Sequence, residues 1–132
     1  KNEHEICIPE LFFEDKDLLR SCLRGLYDTD GGIFAHPHTT SVVSFSNSSH
    51  SLLESVVRAL RQIGFEVSAT KDAIQMYGHE KTQRFMEQVG TSNPRTLIKY
   101  VHYRKSGVLM RAKQAESLLS KTGFLWCNGP IV

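Results

Sequence analysis

The chain has 132 residues, enough for one domain with its own core but short for two independent domains. Hydrophobic residues make up 40% of it and charged residues 23%, a soluble globular composition that excludes collagen-like, disordered and membrane-spanning classes. The formal net charge of +2 is too small to indicate a nucleic-acid partner by itself. We therefore expect one domain over residues 1–132, and an intracellular protein, because the N-terminus lacks a hydrophobic signal segment.

The first half of the chain alternates between helical and extended patterns. The first helix is predicted to begin after Asp15 or Asp17, either of which can cap it, and to end at Asp30. Its apolar positions recur at helical spacing and are Leu18, Leu19, Cys22, Leu23, Leu26 and Tyr27. Two extended segments follow at 33–35 and 41–46, and we expect them to form a hairpin.

The second half repeats this order and adds helices. The predicted elements are a helix over 52–63 closed by Gly64, strands over 65–69 and 73–77, a short helix over 79–89 ending at Gly90, and a last helix over 108–120. Breaks are expected at residues 92–94 and 106–107. A helix-strand-strand unit that occurs twice and is followed by helices predicts an α+β fold.

The three cysteines are Cys7, Cys22 and Cys127. Their number is odd, and no two of them have CxxC spacing. This pattern supports neither a disulfide framework nor a zinc site, so we expect free thiols.

The first predicted helix ends in residues 23–32, LRGLYDTDGG, which contain two carboxylates and three glycines. The stretch resembles the nine-letter motif of the LAGLIDADG family, and the wider similarity runs from about Ile8 to Lys121. Six letters match, namely Leu23, Gly25, Leu26, Asp28, Asp30 and Gly31. The resemblance implies a homing endonuclease fold in which paired motif helices form a homodimer interface, here at Leu23, Gly25 and Leu26.

The resemblance also assigns chemistry to the end of the motif. Asp30 is the expected catalytic carboxylate, and Asp30 and Gly31 are the expected metal ligands. A carboxylate alone cannot hydrolyse a phosphodiester, so a divalent cation, expected to be Mg²⁺, must lower the pKa of the attacking water. Gly31 is expected to adopt the positive φ that turns the chain from helix to strand. Read without its neighbours, Asp-x-Asp-Gly is also an ordinary polar end of a helix.

Two further matches are less specific. Residues 90–100, GTSNPRTLIKY, are similar to a downstream family segment in which a proline-terminated turn swings a lysine inward. This implies that Lys99 is a basic catalytic residue, with a surface lysine as the other reading and Arg111 as the second candidate. Asn47, after the strand at 41–46, resembles a polar residue of the family's active-site water network, although a helix cap is the simpler reading.

The family places its strands as a saddle in the DNA major groove, where each base pair shows a distinct pattern of donors and acceptors. Outward polar candidates in the first hairpin are His36, His38, Thr40, Ser44 and Ser46. Those in the second hairpin are Ser68, Thr70, Lys71 and Gln75, with Glu66 and Asp72 in the same pattern. Residues 95–121 contain seven Lys or Arg and one acid, so we expect phosphate contacts there. The residues expected to make these phosphate contacts are Arg95, Arg104, Lys105, Arg111 and Lys113.

Other functions remain open at this stage. A non-cleaving DNA or RNA binder of the same fold, such as a maturase-like splicing helper, would keep the scaffold without the reaction. The chain can also be one repeat of a larger intein endonuclease, because Ile8-Pro9-Glu10-Leu11 before the motif resembles the entry to a second repeat. A binding module without a DNA partner is the third alternative.

Overall fold

The computed structural model describes residues 6–36 and 41–122. A short 3-10 helix at Glu10–Glu14 precedes five α-helices and four strands. In chain order these are α1 Lys16–Asp30, β1 Gly31–Phe34, β2 Val42–Ser46, α2 His50–Gln62, β3 Ser68–Ala69, β4 Ala73–Tyr77, α3 His79–Gln88, α4 Pro94–Ser106 and α5 Ala112–Thr122. Within these described ranges, every helix is too short or too polar to cross a membrane.

Helix α1 begins where the sequence predicts. The Asp15 carboxylate accepts hydrogen bonds from the backbone N–H groups of Asp17 and Leu18, at 2.8 and 3.3 Å, and so caps the first turn. Leu19, Leu23 and Tyr27 recur every four residues and are buried, which places one stripe of the helix in the core. The helix therefore runs straight from its cap into the motif.

The four strands form one antiparallel sheet in the order β1-β2-β4-β3. Alternation along β2 and β4 sends Val43, Phe45, Ile74 and Met76 into the core. The helices α1 to α4 all contact the sheet. The opposite face of the sheet carries the intervening residues and is the face predicted to meet DNA.

Two apolar clusters hold the helices to the sheet. In the larger one, the rings of Tyr27, Phe45 and Phe85 pack within 4.7 to 5.9 Å of one another between α1, β2 and α3. In the smaller one, Ile33 of β1 packs with Tyr100 and Tyr103 of α4. The second cluster matters for the site because it seats α4 against the strand that follows the motif.

The observed α+β architecture confirms the predicted fold class, but several boundaries differ and the sequence patterns did not mark α4 as a helix. Strand β1 begins at Gly31 rather than at 33, and α5 begins at Ala112 rather than at 108. Strand β3 covers only two of the five residues predicted for it. Phe65 accounts for part of this difference, because it packs with the apolar core cluster ahead of the strand.

Gly31 corrects a specific expectation. Its φ of −117° and ψ of 176° are extended, so no positive φ turns the chain between helix and strand. A Cβ on this residue would instead lie against the Tyr27 ring and 2.9 Å from the Tyr27 carbonyl oxygen. The glycine is needed for space, because the Tyr27 ring packs over the first residue of β1.

We expect Gly31→Ala to destabilise the chain by about 1–3 kcal/mol, the usual cost of overpacking a filled site. Because Tyr27 is the obstacle, the same change should cost less in a Tyr27→Leu background, where part of the ring volume is gone. Urea unfolding of the four variants measures this coupling. Strictly additive effects would contradict the steric explanation.

Candidate active site

Asp30 and Asn47 meet where α1, β1 and β2 come together. Asp30 is the last residue of α1, Asn47 follows β2, and the pairing of Gly31 with Phe45 brings these chain positions side by side. The Asn47 side-chain N–H group donates to Asp30 Oδ2 at 2.9 Å. The structure thus joins two residues that the sequence analysis selected separately.

The Asn47 amide is held in one orientation. Its Oδ1 accepts from the Ser49 backbone N–H at 2.7 Å, and its own backbone N–H donates to the Asp72 carbonyl at 3.2 Å. With the oxygen engaged, the NH₂ group must face the carboxylate. Asn47 also braces Ser49, whose side chain caps α2, so the predicted capping role belongs to Ser49.

The Asp30 carboxylate keeps one oxygen available. Oδ2 accepts from Asn47, while Oδ1 accepts no hydrogen bond from residues 6–36 and 41–122, and the side chain is half-buried. A carboxylate that is oriented through one oxygen and open at the other is suited to a cation or a water. Gly31 follows it directly and adds a backbone carbonyl.

The Asp30 carboxylate and the Gly31 carbonyl suit a hard divalent cation, but they supply only part of the ligands that it needs. Across the described residues, no three His, Cys, Asp or Glu side chains gather closely enough to hold a metal ion. Mg²⁺ needs fewer protein ligands than most metals, because it commonly binds one or two carboxylates together with phosphate oxygens and waters. Asp30 supplies one such carboxylate per chain.

Lys99 is buried against strand β1. Asn93 caps α4 through the Arg95 N–H, Pro94 is the first helical residue, and Lys99 follows on the buried side of the helix. Its Nζ donates to the Ile33 carbonyl at 2.6 Å and lies 4.8 Å from the centre of the Phe34 ring. With 6% of its surface exposed, Lys99 is not a surface lysine.

Burial also changes the titration of this amine. Removal from water disfavours the charged form and lowers the pKa of Lys99, and the positive charge of Arg95 adds to the effect. Its hydrogen bond goes to Ile33, three residues after Asp30, rather than to Asp30 or Asn47 themselves. Arg111, the second candidate, is exposed between α4 and α5, and its backbone N–H bonds to Gln114.

Asp28 has a role that the sequence analysis missed. Its carboxylate accepts from the Ser92 backbone N–H at 2.9 Å and from the Thr91 hydroxyl. Arg24, one helical turn earlier, donates to the Thr91 carbonyl at 3.4 Å. The motif helix thus holds the loop that precedes α4, and so helps to position Lys99.

The predicted dimer residues occupy different environments. Leu23 is fully buried in the chain's own core, so its expected contact with a second copy is wrong. Leu26 is half-buried, and Gly25 is exposed with no atom within 4 Å of an added Cβ. The outer surface of α1 follows Gly25 and includes Leu18, which is 43% exposed, Cys22 and Thr29.

The polar candidates on the sheet are mostly accessible. Ser46, Ser68, Thr70 and Lys71 are exposed, and His38 and Thr40 lie outside the described residues. Ser44 faces the same side but is only 7% exposed, so it does not present its hydroxyl at the surface as predicted. Strand alternation correctly predicted which face of the sheet the Ser44 side chain occupies. It could not show that neighbouring side chains cover Ser44 on that face.

Aromatic side chains on this face were missed. Tyr77 lies two residues after Gln75 and donates to its side-chain oxygen at 2.5 Å, and the His36 ring packs against Tyr77 at 5.0 Å. Phe34 is 50% exposed on the edge strand. The alternation that selected Gln75 also points to Tyr77, so the signal was present but was applied only to polar residues.

The basic residues of α4 and α5 differ in their surroundings. Arg95 forms an ion pair with Glu116 at 3.0 Å, which offsets its charge. Arg104, Lys105, Arg111 and Lys113 are exposed. Like Arg95, which is itself exposed, these four direct their side chains to solvent.

Comparison with known protein families gives one match. The model of the LAGLIDADG-like domain matches residues 17–101, which is more than half of the chain. The chain belongs to the LAGLIDADG family. The LAGLIDADG match runs from the first turn of α1 into α4, so it includes Asp30, Asn47 and Lys99 and leaves out α5. Neither the curated proteins nor the solved structures contain a match.

Family membership gives the site its general context. LAGLIDADG proteins bind DNA and are generally nucleases. In this LAGLIDADG chain, the motif helix has an exposed outer surface and ends in the Asp30 carboxylate, which is hydrogen-bonded through one oxygen. The motif also includes Asp28, which binds the loop at 91–93.

We expect Asp28→Ala to lower the free energy of unfolding by about 1–3 kcal/mol, because it leaves the Thr91 hydroxyl and the Ser92 N–H without their acceptor. Glu66→Ala is the matched control. Its ion pair with Lys81 is 3.7 Å long and Glu66 is highly exposed, so the loss should stay below about 0.5 kcal/mol. Chemical denaturation measures both, and equal losses would refute the anchoring role.

Proposed function

We propose that this LAGLIDADG protein is a site-specific endonuclease that hydrolyses phosphodiester bonds of double-stranded DNA with a divalent metal ion, expected to be Mg²⁺. The observation that carries the proposal is the Asp30 carboxylate, fixed by Asn47 through one oxygen and open at the other. This group stands at the junction between the motif helix and the sheet whose outer face carries the candidate DNA contacts. Family membership supplies the substrate class.

Asp30 would hold the cation, with the Gly31 carbonyl as a second donor. A bound cation supplies activation of water at neutral pH and stabilises charge on the phosphate. Asn47 fixes the direction of the free carboxylate oxygen, because its own oxygen is engaged by Ser49. The chain thus holds the negatively charged Asp30 carboxylate in one orientation.

Lys99 is proposed as the basic residue of the site. Its ammonium lies under β1 beside the exposed Phe34 ring, close to the strand that continues from Asp30. A positive charge in a partly desolvated position stabilises negative charge on phosphate oxygens more strongly than an exposed one. The Asp28 anchor supports this placement, because it holds the loop from which α4 starts.

Sequence reading is proposed to take place on the outer face of the sheet. Ser46, Ser68 and Gln75 lie there with hydroxyl and amide groups that suit base edges. Lys71 lies beside them in the turn between β3 and β4, and the exposed cations Arg104 and Lys105 suit phosphates.

We further propose that two copies assemble through the outer surface of α1. One chain carries one motif and one Asp30, whereas cutting two strands requires two such groups. A two-fold dimer is the common way to provide them. The surface at Gly25 allows close approach, because this glycine has open space around it, and Leu18 and the half-buried Leu26 flank it with apolar area.

Gly25→Leu should therefore weaken the dimer while leaving the monomer folded. The added side chain meets nothing within the chain, and leucine favours a helix over glycine by roughly 0.5–1 kcal/mol, so only the contact with a second copy suffers. Analytical ultracentrifugation across a dilution series measures this. Arg61→Leu, an exposed change on α2, is the control. A wild-type chain that remains monomeric and still cuts both strands would remove the dimer from the proposal.

The sharpest test of the reaction is Asp30→Asn. The isosteric amide removes the charge that would hold the cation but leaves α1, its junction with β1 and the sheet face in place. We expect cleavage in Mg²⁺ to fall by about a hundredfold or more, because one transition-state contact of this kind contributes on that order. DNA affinity in Ca²⁺ should persist or rise as a negative charge leaves the DNA surface.

The DNA substrate for this test is identified by what the protein binds. Duplexes bound in Ca²⁺ are selected from a randomised library, then incubated in Mg²⁺ and sequenced at any new ends. Asp17→Asn is the matched control, because it removes an exposed carboxylate of the same helix. Selected duplexes that the wild type binds but never cuts would favour the non-cleaving, maturase-like reading. Cleavage by Asp30→Asn at the control rate would refute the site assignment.

A further inference from the structure

A groove lies beside the joint between α4 and α5. It has a volume of about 520 Å³ and is lined by Val108, Leu109, Met110 and Leu118, together with His102 and Lys113. Val108 is 63% exposed and Leu118 is 37% exposed. This is apolar surface that the described residues leave uncovered.

The groove exists because α5 buries only one side. Ala115 and Leu119, four residues apart, are fully or nearly fully buried, while Leu118 is turned toward the groove. Arg95 and Glu116 add an ion pair of 3.0 Å that ties α5 to the first turn of α4. The helix is thus held along one edge, and its second apolar side lacks a neighbour among the described residues.

We propose that residues 123–132 of the same chain occupy this groove. They follow α5 directly and read GFLWCNGPIV, with five large apolar residues and no charged side chain. An apolar segment attached next to an apolar groove gains by covering it, since each buried side chain of this size contributes favourably.

The length of the segment is sufficient. Leu118 lies four residues before the end of α5, which is about 6 Å along the helix axis. Ten residues in extended form span up to roughly 33 Å, so the segment can return to Val108 even after reversing direction.

A tethered occupant is favoured over a free one. A segment joined to its site by a few residues has an effective concentration on the order of millimolar, well above that of a separate partner. The charge of Lys113 in the lining would suit an acidic partner, but it does not oppose an uncharged segment. A second copy of the chain is the other occupant that the test must separate.

Trp126 makes the test direct, because it is the single tryptophan of the chain. In the full chain we expect blue-shifted emission that is protected from acrylamide quenching. Val108→Ser and Leu118→Ser should each shift the emission to the red and raise quenching. We expect a roughly tenfold lower ratio of docked to undocked segment, equivalent to about 1.4 kcal/mol of lost apolar burial.

The controls match the variants in exposure. Leu11→Ser replaces a residue that is 63% exposed and Leu97→Ser one that is 37% exposed, both outside the groove, and neither should move the emission. Phe124→Ser, within the segment, should act like the groove variants even if those fold poorly. Wild-type emission of a solvent-exposed indole, or groove variants indistinguishable from the controls, would overturn the proposal. Emission that depends on protein concentration would assign the groove to a second copy instead.

Discussion

No connecting turn separates α1 from β1, and the arrangement of the site depends on this junction. Asp30 ends the helix, Gly31 begins the strand in an extended conformation, and the Tyr27 ring fills the space that a side chain at Gly31 would need. Because the strand pairs at once with β2, the carboxylate meets Asn47 at a fixed distance. A flexible turn here would let the acid rotate away from its partner.

A second constraint links the motif to a distant part of the chain. Asp28 binds the loop at 91–93, so the helix that carries Asp30 also positions the start of α4. From α4, the Lys99 ammonium donates a hydrogen bond to the Ile33 carbonyl of β1. Asp30 and Lys99 are therefore both positioned relative to the same helix-strand unit, although about seventy residues of sequence separate them.

Much of this could be predicted from the sequence, and the exceptions have physical reasons. Periodicity, caps and glycines located four of the five α-helices and three of the four strands, but they did not mark α4 as a helix. The motif letters selected Asp30, and a separate resemblance at the end of β2 selected its partner Asn47. Spacing alone could not show that Leu23 belongs to the chain's own core, or that Ser44 is covered by neighbours, because both depend on tertiary packing. Nor could it reveal the acceptor role of Asp28, whose partners lie more than sixty residues away.

The contact between Lys99 and Ile33 also bears on how the sheet ends. Strand β1 is an outer strand of the four, and an outer strand presents backbone groups that can pair with another chain. The ammonium of Lys99 occupies the Ile33 carbonyl, and the charge and bulk of α4 stand beside it. Lys99, a candidate residue of the proposed site, thereby also occupies one backbone acceptor of an edge strand at which another strand would otherwise add.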